Sequence, residues 1–286
     1  TFLRVIGKEL MQLGYRVDAK IAKLQLAKKR YENYYNAYIG DVDRADLIVC
    51  TYYDTGVNNF NLSKTYAFEQ QFGRKRYLIG LLPIIILAIA SVILNYLLFI
   101  PGIQEMGLVS VSGALSAITT LLLFYFILKF KNGIPNKKNF VCNTSSILVM
   151  LNIIKKLDKN AKKKIAFVLC DGGRTSQYGL RMLESYSSKI TKKNIVFLDS
   201  IGNSDKLVFF KSGQLPGDFD NITLHDGKLD TSFENYLMVT SGELDADNKV
   251  MIKNANSRKD NALSLQIIEQ HTESLYDLFI SLIAKK

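Results

Sequence analysis

The chain has 286 residues, enough for one ordinary domain or two small ones outside its apolar middle, and a formal net charge of +11. Its three cysteines, Cys50, Cys142 and Cys170, form no Cys-x-x-Cys pair, which argues against a disulfide framework and a cysteine zinc site and agrees with a reducing compartment. The basic excess fits a body held against an anionic inner leaflet. Nucleic-acid binding or a merely solvated surface would also account for the positive charge. Of these alternatives, we do not expect a nucleic-acid partner.

The residues before the apolar middle indicate short helices and strands. Phe2–Leu13 has an apolar stripe of helical period and is followed by Gly14, which predicts a helix that ends there. The residues from Tyr15 to Tyr31 fit either strand or helix, and the choice stays open. Strands are predicted at Tyr31–Tyr38 and Asp46–Tyr52. A short helix is predicted at Asn61–Phe72.

Two apolar segments without a charged residue, Tyr77–Ile100 and Gly107–Leu128, occupy the middle of the chain. Each is longer than the roughly 20 residues that a helix needs to cross about 30 Å of hydrocarbon. A pair of buried helices in a large soluble core is the alternative, but such helices show a polar face that these segments lack. With the short link Pro101–Met106 between them, the segments predict a transmembrane helical hairpin over 77–128.

Basic residues flank this hairpin on both sides and are absent from its link. Arg74, Lys75 and Arg76 precede it, and Lys129, Lys131, Lys137 and Lys138 follow it. By the positive-inside rule, both ends lie in the cytoplasm and the link faces outward. We therefore expect a multi-pass protein of the cell membrane, with residues 1–76 and 129–286 forming one domain on the cytoplasmic side.

After the hairpin, helical and strand patterns alternate. Helices are predicted at Asn143–Leu157, Ser176–Lys189 and Asn261–Ala284, and strands at Ile165–Cys170, Asn194–Leu198, Leu207–Phe210, Tyr236–Thr240 and Val250–Ile252. A continuous apolar run such as Ile165–Cys170 is typical of a parallel strand covered on both faces. The pattern predicts a three-layer α/β/α sandwich with a mostly parallel mixed sheet, interrupted by a two-helix transmembrane hairpin.

Three of the predicted strands end in an acid, at Asp54, Asp171 and Asp199. Chemistry in such sheets sits just beyond the carboxyl ends of the strands, so these residues suit a carboxylate metal site. The competing interpretation is that the acids cap the turns that follow, as Asp often does. Of the histidines, His225 is expected in a turn and His271 is expected to pack on the terminal helix.

Five short motifs occur in an order that resembles one family. The best single match is Leu198-Asp199-Ser200-Ile201-Gly202, and weaker ones stand at Thr51–Asp54, Cys142–Ser146, Asp171–Arg174 with Tyr178–Arg181, and Asn256–Asp260. Together they resemble the zinc aminopeptidases of metallopeptidase family twenty-eight, the fold shared with the transferrin receptor ectodomain. The resemblance covers most of the sequence outside the hairpin, which would be inserted between the first two motifs.

The departures from this family concern its metal site. The resemblance implies two zinc ions held by His, Asp and Glu, with a Glu as general base. Carried over residue by residue, the base falls at Cys170 or Gly173, and the ligand beside it becomes Asp171, Gly172 or Arg174. The His ligands become Tyr52 and Asn256, and the bridging Asp becomes Cys142. Of the family's acids Asp54 and Asp199 survive, and Asp171 is a third candidate. What is left is a vestigial pocket without catalytic residues or metal ligands, made of Tyr52, Asp54, Cys142, Asp171, Asp199 and Asn256.

These departures predict a membrane-anchored, catalytically inactive zinc-aminopeptidase-like protein that acts in binding or scaffolding. Its expected partners are the lipid bilayer and a peptide or protein, and no cofactor is expected. The first alternative is an active or single-metal membrane-bound metallopeptidase, which would bind zinc. The second is a structural subunit of a membrane complex, in which the small residues between Gly107 and Ser116 would let partner helices approach closely.

Overall fold

A computed structural model describes most of the chain as an α/β body and a pair of long apolar helices. It describes residues 2–27, 30–56, 58, 64–68, 74–131, 134, 136, 138–173, 177–187, 189–217, 219, 222–226, 229, 231–255 and 259–284. The positions Asn61–Ser63, Lys137, Arg174 and Asn256 lie outside these ranges.

Within the described residues, eight strands form one mixed sheet, which we call the main sheet. In chain order the strands are β1 (Val17–Ala27), β2 (Arg30–Ile39), β3 (Leu47–Tyr52), β5 (Ile165–Cys170), β6 (Asn194–Leu198), β7 (Leu207–Ser212), β8 (Leu224–Asp226) and β9 (Asn235–Ser241). Their spatial order is β1-β2-β5-β3-β6-β9-β7-β8. The central strands β5, β3, β6 and β9 are parallel, and antiparallel pairs stand on either side of them.

The central strands are buried because both of their faces are covered. Every residue of β3 and of β5 is buried, as expected for parallel strands with continuous apolar sequences. One face packs against α1 (Phe2–Gln12), α5 (Ser145–Lys156) and α8 (Leu265–Ala284), and the other packs against α7 (Tyr178–Glu184) and the surrounding turns. The predicted three-layer α/β/α sandwich with a mixed sheet is thereby confirmed.

The apolar middle forms two long helices. The first runs through α2 (Arg74–Leu94), a π-helical turn at Asn95–Phe99 and α3 (Ile100–Met106), and the second is α4 (Val111–Phe130). Among the described residues, the stretches Leu78–Met106 and Val111–Phe130 are long and apolar enough to cross a membrane by length and composition.

The two long helices are joined by hydrogen bonds at the π-helical turn. Asn95 Nδ2 donates to Ser91 O at 2.8 Å and to Thr119 Oγ1 at 3.3 Å, and Ser116 Oγ donates to Asn95 Oδ1. Polar side chains hold neighbouring helices together in this way where no water is available. Ser110 caps the start of α4 by accepting from the N–H of Gly113 at 3.2 Å.

Several predicted elements differ in the structure. The link Pro101–Met106 is helical rather than a turn, because Pro101 stands in the first turn of α3, where no amide donor is needed. The true turn is 107–110. The predicted helix at Asn61–Phe72 falls largely outside the described residues, and its described part, Thr65–Tyr66, is a short strand (β4) paired with Met251–Ile252 (β10).

The remaining corrections concern element lengths and one histidine. The predicted helix at Ser176–Lys189 is the shorter α7, which ends at Glu184. His225 lies in the strand β8 rather than in a turn, since that strand pairs with β7. The region from Tyr15 to Tyr31, left open by its sequence, is mainly the long strand β1.

Candidate functional site

The candidate site lies at one edge of the main sheet. Because β3, β5 and β6 are parallel, they end at the same edge, which we call the carboxyl edge. The register places Tyr52, the last residue of β3, beside Cys170, the last residue of β5. The acids that follow the three strands, Asp54, Asp171 and Asp199, therefore stand along this edge, as their sequence positions predict.

Asp171 fastens the outer strand β2 to the turn that follows β5. Its Oδ1 accepts from the N–H of Gly172 at 2.9 Å, and its Oδ2 accepts from the N–H of Tyr35 at 3.0 Å. Its own N–H donates to Oδ1 of the buried Asn36 at 3.0 Å, and its carbonyl accepts from the N–H of Gly179 at 2.9 Å. Both carboxylate oxygens are thus occupied by backbone donors.

Asp54 holds the same turn from the other side. Its Oδ1 accepts from the N–H of Gly173 at 2.8 Å, and its carbonyl accepts from Asn143 Nδ2. The turn lies directly on the ring of Tyr52, since a Cβ at Gly173 would come within 1.5 Å of that ring. Only glycine fits there, so the family's catalytic Glu has no room at this position.

Asp199 caps the turn after β6. It is 2% exposed, its Oδ2 accepts from the N–H of Phe68 at 2.6 Å, and its Oδ1 accepts from the hydroxyl of Ser200 at 2.8 Å. Ser200 has a φ of +57°, a left-handed conformation that costs a non-glycine residue energy. Its N–H donates to Cys142 O at 3.2 Å, so the Asp199 turn and the Cys142 segment are fixed to each other.

The Cys142 segment is a π-helical turn, Phe140–Thr144, that leads into α5. Cys142 and Asn143 are 2% and 4% exposed. The N–H of Val141 donates to Asp260 Oδ1 at 2.7 Å, and Asp260 is fully buried. π-Helical turns are rare and often occur at functional sites, and this one links the turns that follow β3 and β6.

Neutral amide groups near this segment have unused hydrogen-bonding capacity. Within the part of the chain that the structure describes, Asn143 Oδ1 and both side-chain polar atoms of Asn139 have no hydrogen-bond partner, although each residue is only 4% exposed. A buried polar group without a partner costs about 1–3 kcal/mol. These amides would therefore gain from a polar group, such as a water or a peptide bond, that enters the site.

Tyr53, next to Tyr52, is a hydrogen-bond donor rather than an anion. Its hydroxyl donates to Tyr35 O at 2.8 Å. Burial raises its pKa well above the ordinary value, and the nearby carboxylates of Asp171 and Asp54 raise it further. It therefore stays protonated at neutral pH and offers no phenolate to a metal.

The residues present do not fit the zinc that the family resemblance implies. No group of three or more His, Cys, Asp or Glu side chains among the described residues is arranged to hold a metal ion. Asp54, Asp171 and Asp199 instead accept hydrogen bonds that hold the neighbouring turns. Asn256, predicted to replace a His ligand, lies outside the described residues.

The remaining cysteines and the buried histidine are packed in the body. All three cysteines are free and buried. Burial raises the pKa of Cys50 well above its ordinary value, and the neighbouring Cys170 thiol adds to this, so it is a packed thiol. His271 is 1% exposed with Nε2 2.8 Å from Ser204 O, and burial lowers its pKa.

The structure brings together five of the six residues predicted from sequence. Tyr52, Asp54, Cys142, Asp171 and Asp199 are connected by the hydrogen bonds and contacts described above. Sequence reasoning missed their partners on other elements, above all Tyr35 and Asn36 on β2, Phe68, and the amides Asn139 and Asn143. Only Asn143 and Asp260 carried a signal, because both stand within the family-like motifs.

Comparison with solved structures identifies the fold. The chain is similar to a Zn-dependent exopeptidase from Parabacteroides distasonis (TM-score 0.52, 10% identity, covering 96% of this chain and 87% of that one). It is similar to a Fimbriiglobus ruber glutaminyl cyclase (TM-score 0.52, 13% identity, covering 98% of this chain and 86% of that one). It is also similar to a leucine aminopeptidase precursor from Bacteroides thetaiotaomicron (TM-score 0.50, 10% identity, covering 99% of this chain and 88% of that one). At such identities the likeness concerns the fold alone, and at that level the expected aminopeptidase-like architecture is confirmed.

Sequence comparisons add no family assignment. No protein-family model matches the chain, and no curated protein matches it.

Proposed function

We propose that this chain is a membrane-anchored, catalytically inactive aminopeptidase-like protein whose carboxyl edge binds a peptide or protein. The observation that carries the proposal is the use of the strand-end acids. Asp54, Asp171 and Asp199 each accept hydrogen bonds from backbone N–H groups of neighbouring turns. Acids engaged in this way stabilise turns, which is the structural role that Asp commonly has.

The amides at the same edge support binding rather than hydrolysis. Asn139 offers a neutral donor and acceptor and Asn143 a neutral acceptor, which match a peptide backbone and do not polarise a water molecule for attack. Phe140 lies beside them and is 37% exposed, so an apolar side chain of a ligand would find a contact there. This combination of a few polar groups and an exposed aromatic residue is common in binding sites.

The anchoring part of the proposal depends on the two long apolar helices. We propose that they span the cell membrane as a hairpin, with residues 1–76 and 129–286 on the cytoplasmic side as one interrupted domain. The position of β3 supports the single domain, because it lies between β5 and β6, which come after the hairpin in sequence. A strand at that position needs neighbours on both sides to satisfy its backbone.

The first test is activity. Full-length protein, purified in detergent with added zinc, should release no product from aminoacyl substrates and should not cyclise N-terminal glutamine, the reaction class suggested by the glutaminyl cyclase neighbours. The matched control is Asp199→Ala. Zinc-dependent turnover by the unmodified chain, lost in Asp199→Ala at a temperature at which circular dichroism shows the variant folded, would establish the alternative, an active or single-metal metalloenzyme.

The second test is binding. A photo-crosslinking residue in place of Phe140 should give a discrete adduct in native membranes, because it stands at the amide-lined edge. The same residue in place of the exposed Lys159, which precedes β5 at the opposite edge, should not. Adducts from membrane-embedded position 92 instead, with none from position 140, would favour the structural-subunit alternative.

A further inference from the structure

The hairpin formed by β1 and β2, which we call the β-arm, extends beyond the main sheet. Of β2, only Ala37–Ile39 pairs with β5. Because β2 and β5 are antiparallel, the residues of β2 before Ala37 continue past the carboxyl end of β5. The N–H of Tyr35 already bonds to Asp171, the first residue after β5. From there to Arg30 the β-arm spans about 16 Å, at roughly 3.3 Å per residue.

The long apolar helices leave the body at the same edge. Gly56, four residues after the end of β3, accepts from the N–H of Asn136 at 2.9 Å, and Asn58 N–H donates to Ile134 O at 2.9 Å. Ile134 follows the end of α4 by four residues. The segment that follows α4 thus lies beside the carboxyl edge, and the β-arm extends on that side of the body.

One face of the β-arm has the composition of a membrane interface. Cross-strand register places Ile21 opposite Tyr35, Lys23 opposite Asn33 and Gln25 opposite Tyr31 on this face. Ile21, Tyr31 and Tyr35 are 63%, 53% and 39% exposed, and Lys23 Nζ lies 5.1 Å from the centre of the Tyr31 ring. Tyr and Lys are typical of the headgroup level, where an apolar body meets a polar tip.

The charge of the β-arm points the same way. Residues 17–39 contain five bases and two acids, and three of the bases, Lys28, Lys29 and Arg30, are consecutive where β1 gives way to β2 in the sequence. Lysines on an outer strand also protect a sheet edge from pairing with other chains. That role accounts for Lys20 and Lys23 but not for the exposed Ile21, Tyr31 and Tyr35 beside them.

We propose that the β-arm docks on the anionic headgroups of the cytoplasmic leaflet, with Lys23 at the phosphates and Ile21, Tyr31 and Tyr35 at the interface. The inference rests on the proposed membrane anchoring. It gives the molecule a second contact with the bilayer besides the apolar helices. With both contacts in place, the carboxyl edge faces the membrane surface, so its ligand approaches along that surface.

The test uses the full chain in lipid nanodiscs with a fluorophore on a single introduced cysteine, the native cysteines being buried. The probe position is Asn33→Cys on the exposed face, and the control is Lys159→Cys at the opposite edge. In bilayers with about one-third phosphatidylglycerol, spin-labelled headgroups should quench the label at 33 and not at 159. In pure phosphatidylcholine the quenching at 33 should fall sharply. Lys23→Gln should lower the equilibrium constant for docking about fivefold.

A third label, Val92→Cys on the first apolar helix, separates the two proposals. Val92 is 65% exposed, and acyl-chain spin labels should quench it in both lipids. If the label at 92 is quenched while the label at 33 is not quenched in the anionic bilayer, the β-arm proposal is wrong and membrane anchoring stands. If the label at 92 is not quenched, the anchoring proposal itself fails. Equal quenching at 33 in both lipids would overturn recognition by charge.

Discussion

Replacing Asp199 by Ala tests whether this acid stabilises a turn or serves a metal. The carboxylate is 2% exposed and accepts from the N–H of Phe68 and the hydroxyl of Ser200. Hydrogen bonds to a charged group contribute about 1.5–3 kcal/mol each. Their combined loss should lower the free energy of unfolding by about 3–5 kcal/mol, with allowance for the half-buried Phe68 amide. For a body of this size, that corresponds to a drop of about 6–20 °C in Tm.

The assay is thermal unfolding of the detergent-purified chain, followed by circular dichroism with and without zinc. Asp247→Ala is the matched control, because Asp247 is exposed and its removal changes the net charge by the same amount. Asp199→Asn should be intermediate, since the amide keeps one acceptor. The reasoning is refuted if Asp199→Ala keeps the unmodified Tm without zinc, and zinc raises the Tm of the unmodified chain but not that of the variant.

Three further predictions concern the histidine, the apolar helices and their direction. The lowered pKa of His271 means that the folded chain binds fewer protons than the unfolded chain below about pH 6.5. The Tm of the chain should therefore be highest above that pH and decrease as the pH is lowered. His271→Gln should make this decrease in Tm smaller. Asn95→Leu should destabilise the helix pair by about 0.6–1.7 kcal/mol in SDS unfolding, with Tyr96→Leu unchanged. Leu108→Cys, in the turn between the apolar helices, should react with an impermeant thiol reagent from outside the cell, and Lys137→Cys should not. The reverse pattern would contradict the cytoplasmic assignment.

The parts of the fold that follow from local pattern could be predicted from sequence. Leu47–Tyr52 and Ile165–Cys170 are continuous apolar runs, and both are buried central strands. The β1 region was undecided because its Lys, Ala and Leu residues favour helix while their alternation favours a strand. Pairing with β2 along its length decides the conformation, and one sequence considered alone does not contain that information.

The first apolar helix was predicted to end at Ile100 because Pro101 follows, but the helix continues beyond this proline. A proline ends a helix when it interrupts an established ladder, but it fits the first turn of a new segment. The π-helical turn at Asn95–Phe99 creates such a start, and the helix continues to Met106. The local sequence gives no indication of this turn, whose Asn95 bonds to residues on the other helix.

The acids of the site could be predicted from the sequence, but their hydrogen-bond partners could not. Asp171 and Asp199 were found because each follows an apolar strand. The donors that occupy them, the amides of Tyr35 and Phe68, are separated from them by 136 and 131 residues in sequence. Only the folded topology brings these groups together, so the hydrogen-bond partners of the acids could not be predicted from the sequence.

The account depends most directly on the absence of a stoichiometric metal at the carboxyl edge. The measurement is elemental analysis of the full-length chain, extracted from membranes and purified without chelators, alongside Asp199→Asn prepared in the same way. We predict well under one zinc per chain in both samples, since no group of three or more His, Cys, Asp or Glu side chains among the described residues is arranged to hold a metal ion. One or two zinc ions per unmodified chain, lost in Asp199→Asn, would contradict it.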